Sequence, residues 1–170
     1  LDEIINIYLE KHHFIGLKPY WPCHKYDLLG EKYKKWFEYG NKNKLIMLVH
    51  TETGSAETTT AKVEQLALKY GDMAFILAHS DMSYEVAKNN IKSANKFNNI
   101  YLEITLSYLS NIIEFLVESA GADKILFGTD LPILDPAPQI AHIAFSKISI
   151  DDKKKILGEN IRKLLSRCYH

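Results

Sequence analysis

The stretch KLIMLVH, Lys44 to His50, decides the fold. Leu45 to Val49 is apolar throughout, as in a strand buried on both faces. The run ends abruptly in a histidine. The same form recurs downstream in MAFILAHS (Met73 to Ser80), NIYLEIT (Asn99 to Thr105) and KILFGTD (Lys124 to Asp130), and upstream in the shorter FIGLKP (Phe14 to Pro19).

Helical patterns separate these runs. YDLLGEKYKKWFEYG (Tyr26 to Gly40) places Leu28, Leu29, Tyr33, Trp36 and Phe37 at mixed three and four spacing, which is one helix face. SAETTTAKVEQLALKYG (Ser55 to Gly71) reads as a helix with Gly71 as C-cap. SYEVAKNNIKSANKF (Ser83 to Phe97) and SYLSNIIEFLVESAG (Ser107 to Gly121) read likewise, the second closed by Gly121. Two more helices are predicted over Ala137–Lys147 and Asp151–Arg167, with Asp151 as N-cap of the latter and Asp152 in its first turn. The opening LDEIINIYLEKHH reads as the back end of a helix, a hint that the chain is part of something longer.

Apolar strands joined by helices imply a parallel sheet with helices outside. Two α/β architectures share this grammar, an open doubly wound sheet and a β/α barrel. No G-x-G-x-x-G or G-x-x-x-x-G-K-[ST] follows any strand, so the phosphate loops of the nucleotide-binding open sheets are missing. A closed (β/α)8 barrel of TIM type needs about 250 residues. The 170 residues here suit its last five β/α units, an incomplete barrel, as a single domain over 1–170.

Composition narrows the partners. With 46% hydrophobic and 25% charged residues the chain is globular. Basic and acidic residues balance at 21 each, so no electrostatic pull towards nucleic acid or anionic membrane is expected. No apolar run reaches the roughly 18 residues of a membrane span. Cys23 and Cys168 form no C-x-x-C pattern and read as free thiols of a reducing, cytoplasmic compartment.

The strand ends carry the chemistry. Lys18, His50, His79, Glu103 and Asp130 each close or nearly close a strand, one strand–helix unit apart. All five therefore belong at the C-terminal edge of the sheet, where such folds build active sites. Two imidazoles and a carboxylate suit zinc, manganese or iron. A bound cation would also offset the desolvation of Asp130. Singly, each has a plainer reading. His50 and His79 could bond backbone carbonyls, and Asp130 could form a turn before Pro132. Lys18 reads as structural or substrate-binding, and Glu103, inside an apolar strand, needs a partner. His12, His13, His24, His142 and His170 fall on predicted helices, loops or the terminus and receive no role.

LIMLVHTE, FILAHSD, NIYLEIT, ILFGTDLP and ILGENIRKLL, in this order and spacing, resemble the C-terminal blocks of the amidohydrolase superfamily over about Phe14 to Leu165. The similarity points to its branch of amidohydrolase-related decarboxylases, hydratases and lactonases. The resemblance implies that His50 ligates a metal from the fifth barrel strand. It makes His79, on the sixth, a second ligand or a group that bonds water or substrate. Asp130, on the eighth, becomes a metal ligand and general base. Lys18 falls on the fourth strand, where some binuclear members carry a carbamylated lysine, but GLKPY is more similar to the branch without that bridge. The family's first-strand His-x-His does not occur here.

The expected function is thus that of a metal-dependent hydrolase or decarboxylase. Its substrate would be a small carbonyl or carboxylate compound, cleaved at a C–N, C–O or C–C bond. Asp130 and His79 would be catalytic, and His50, His79 and Asp130 would hold a divalent ion, zinc first. A homo-oligomer is expected, because an incomplete barrel exposes strand edges. The alternatives are a degenerate barrel serving as a binding or assembly module, and a metal-free enzyme with Lys18 as Schiff-base nucleophile.

Overall fold

The computed structural model describes residues 2–50 and 59–168. Its centre is a five-stranded sheet of β1 (Gly16–Leu17), β2 (Ile46–His50), β3 (Ala74–Ala78), β4 (Ile100–Glu103) and β5 (Ile125–Leu126). The strands lie in sequence order and every pair is parallel. Helices α1 (Asp2–Ile4), α2 (Trp21–His24), α3 (Glu31–Lys42), α4 (Thr60–Lys69), α5 (Tyr84–Lys96), α6 (Ile112–Ala120), α7 (Pro136–Phe145), α8 (Ile150–Lys154) and α9 (Asn160–Leu165) complete the described chain. A π-helical segment, Ile5–Lys11, extends α1, and a second, Lys155–Glu159, joins α8 to α9. Among the described residues no helix is long and apolar enough to cross a membrane.

β3 is buried on both faces, as its lack of alternation implies, while β2 buries Met47 and Val49 on one face and leaves Ile46 and Leu48 half-buried on the other. On the first face, Met47, Val49, Phe75, Leu77, Ile100, Leu102 and Ile125 join Phe37, Val63, Leu66, Ala87, Ile91, Ile113 and Leu116 in a single core. On the other, Ala74, Ile76 and Leu126 pack with Leu164, and Ile46, Leu48 and Ile161 close around them. Helix α9 therefore covers part of the sheet face opposite the main helical layer.

Helix starts follow capping chemistry, and several differ from expectation for that reason. The final helical stretch begins at Ile150, because Ser149 rather than Asp151 accepts the Asp152 N–H. Helix α3 begins at Glu31, because Asp27 closes a turn by accepting from Leu29 and Gly30. Helix α6 begins at Ile112, after Asn111 adopts a left-handed conformation. Gly121 does end it, at φ +81°, a value that favours glycine. Tyr70, not Gly71, is the C-cap of α4, and the predicted start of that helix lies outside the described residues.

Asn160 explains the ILGEN block. Its buried side-chain amide donates to the carbonyls of Ala122 (2.7 Å) and Ile125 (2.8 Å), tying α9 to the start of β5. Beyond it, the Phe127 N–H donates to the Ile156 carbonyl, so the π segment occupies part of the β5 edge. Asn160→Ala leaves two carbonyls without their donor. It is expected to lower stability by about 1–3 kcal/mol, read as a shift in denaturation midpoint.

Candidate active site

Parallel register sets the site. His50 ends β2 opposite Ala78, so the next residue of the neighbouring strand, His79, turns in beside it. Their rings lie 4.7 Å apart, edge to face at 80°. Tyr20, on the segment after β1, also meets the His50 ring, at 5.7 Å. His79 is buried and has φ +55°, a conformation that L-residues adopt at an energetic cost.

Asp130 shares that strain, at φ +54°. The regular part of β5 stops at Leu126, so Asp130 sits on the irregular segment beyond the strand rather than at its last position. This geometry bears on the turn-former reading. The side-chain bond in the turn comes from Thr129, whose hydroxyl accepts the Leu131 N–H, while the main-chain carbonyl of Asp130 accepts from Ile133. The half-buried Asp130 instead lines a cavity of about 380 Å³ with Lys18, His79, Glu103, Thr105 and Thr129. The rest of the wall is mostly apolar, with Ile46, Leu48, Ile76, Leu126 and Ile161.

Of the residues singled out in the sequence, His79, Glu103, Asp130 and the exposed Lys18 thus meet at one cavity, and His50 flanks it through His79. Among the described residues no three His, Cys, Asp or Glu side chains gather into a group able to hold a metal ion. The donors are chemically right for one, an imidazole pair at ring distance with a carboxylate nearby.

Glu103 has the partner its burial requires. It accepts the His79 N–H at 3.0 Å and the Thr105 hydroxyl. Burial pushes its carboxyl up, opposed chiefly by those two hydrogen bonds. Gly128 gives it room, since a Cβ there would stand 1.7 Å from its Oε1. The signals for these neighbours were present but faint. Thr105 lies two residues from Glu103 in the NIYLEIT run, just beyond the end of β4, and Gly128 belongs to the GTDLP block.

Asp81 was overlooked. It is fully buried, with no hydrogen-bond partner for either carboxylate oxygen among the described residues. Burial, and then the charge of Glu103, push it up to about 8. An acid raised in the folded state contributes stability below its unfolded pKa and loses it as pH rises. Metal-stripped protein should therefore lose stability from about pH 4 to pH 8. Asp81→Asn should flatten that slope and gain about 1–3 kcal/mol at pH 9, measured by denaturation at several pH values.

The amidohydrolase family's profile matches residues 2–167. The chain belongs to the amidohydrolase family. Solved structures agree with its fold. A TIM-barrel protein from Bordetella bronchiseptica superposes with a TM-score of 0.70 at 19% identity, over 85% of this chain and 54% of that one. A dihydroxybenzoic acid decarboxylase from Polaromonas, with bound manganese and an inhibitor, gives 0.69 at 17%, over 97% and 64%. A 4-oxalomesaconate hydratase from Rhodopseudomonas palustris gives 0.68 at 17%, over 98% and 59%. No match is found among curated proteins. This amidohydrolase chain spans between 54% and 64% of those three structures, and its sheet is part of a TIM barrel.

Proposed function

We propose that this chain carries the His50, His79 and Asp130 side of a metal-dependent active site. The enzyme would act on a C–N, C–O or C–C bond of a small carbonyl or carboxylate compound. One observation carries the reading. His79 and Asp130, both held in left-handed backbone, border one cavity at the C-terminal edge of a parallel sheet, with the His50 ring against His79.

His50 and Asp130 would hold the ion, with His79 as a further imidazole. Zinc is the first choice, with manganese, present in the Polaromonas structure, or iron as alternatives. A bound divalent ion supplies Lewis acidity towards a carbonyl or carboxylate oxygen. Asp130 takes the proton of the attacking water and returns it to the leaving group. In a decarboxylation the same carboxyl delivers a proton to the carbon that loses CO2. His79 steadies negative charge as it develops on the substrate oxygen. Ile46, Leu48, Ile76 and Leu126, which line the cavity, would receive the apolar part of the substrate.

The lack of a three-ligand group among the described residues favours a second reading, a binding or assembly module without catalysis. Full-length protein loaded with Mn2+ or Zn2+ distinguishes them. The substrates to test are 2,6-dihydroxybenzoate, for CO2 release, and a panel of simple lactones and amides. Turnover abolished by a chelator and restored by the ion supports the enzyme. No turnover with either ion in all three bond classes supports the module.

A further inference from the structure

We propose that Glu103 is a positioning residue that fixes His79 in the geometry the site uses; this rests on the reading of His79 as a site residue given above. Three independent observations converge on Glu103. Its Oε2 accepts the N–H of His79, the residue whose φ of +55° needs an external restraint. Its other oxygen is held by the hydroxyl of Thr105, in the turn just after β4. The segment after β5 contributes Gly128, where any side chain would collide with the Glu103 carboxyl.

The logic is spatial. The side-chain direction of His79 is set by its φ and ψ. A residue in left-handed backbone relaxes unless its peptide groups are bonded in place. A carboxylate reaching across from β4 to the turn after β3 supplies that bond from a rigid strand. The hydroxyl holds the carboxylate in place, and the glycine leaves the space that it occupies. Glu103 also lines the cavity, so its carboxyl forms part of the wall behind His79. It thus acts on the site through His79, in the way that outer-shell groups orient ligands.

The test compares full-length wild type with E103A, E103Q and T105V by two readouts. The first is amide hydrogen exchange at His79. The carboxamide oxygen of E103Q still accepts this N–H, so E103Q should retain wild-type protection. E103A should exchange at least about tenfold faster, the equivalent of one net hydrogen bond. The second is binding of Co2+, followed by its visible absorption. E103Q should reproduce the wild-type spectrum, while E103A should shift it and weaken affinity by about 10–100-fold. Should E103A fail to fold, T105V must show both changes in smaller measure. Wild-type exchange at His79 in E103A, or in T105V where E103A is unfolded, overturns the proposal. Faster exchange in E103A with no Co2+ bound even by wild type supports the positioning role and removes the metal reading instead.

Discussion

Asp130→Asn in the full-length protein is expected to lower kcat by about 10²–10⁴-fold, the usual contribution of a positioned acid–base group. The fold should survive, because the bonds closing this turn do not use the carboxylate. Thr129 supplies the side-chain acceptor, and the Asp130 main chain supplies the carbonyl that Ile133 bonds. Asparagine has the same shape and tolerates left-handed backbone well, so φ +54° poses no obstacle. What changes is the ability to take up and release a proton at the cavity wall. The measurement is kcat on whichever substrate is turned over, beside a thermal melt. A kcat equal to wild type would remove Asp130 from the chemistry.

His50→Ala is expected to weaken binding of Mn2+ by more than the roughly 10–100-fold that loss of an outer-shell partner produces. His50 is a direct donor in this account. It ends β2, its ring contacts those of Tyr20 and His79, and it is half-buried at the C-terminal edge of the sheet. A titration of chelator-treated full-length protein with Mn2+ reads the change. Equal affinity in wild type and variant would place the ion elsewhere. Because His50 packs less deeply than Met47 or Val49, its truncation should affect the melt less than a core deletion would.

Much of the fold was legible in the sequence, for physical reasons. Continuous apolar runs such as Ala74–Ala78 report burial on both faces, and burial on both faces means a covered parallel sheet; in Leu45–Val49 the expectation holds on one face only, because Ile46 and Leu48 line the cavity. The regular recurrence of one strand and one helix then placed Lys18, His50, His79, Glu103 and Asp130 at one edge without any knowledge of contacts. Element ends were less legible. Whether Ser149 or Asp151 caps a helix depends on which side chain reaches the Asp152 N–H, and both are good caps. The extent of β5 was overread, because Phe127 bonds Ile156 in the π segment rather than a strand.

The partners of Glu103 and the isolation of Asp81 were not legible. Glu103 reaches His79 from a different strand, and the need for Gly128 comes from a third. Such contacts depend on register and on side-chain reach, which periodicity does not encode. Asp81 looks like an ordinary turn residue until the surrounding core is seen to leave it no water.

In the proposed site, His50 and Asp130 face a common metal position at the C-terminal edge of the sheet. Crystals of full-length protein grown with Mn2+ and measured near the manganese absorption edge test it most directly. An anomalous-difference peak is expected within ligand distance of the His50 ring and the Asp130 carboxylate. A peak away from both, or none at full occupancy of Mn2+ in solution, would contradict it.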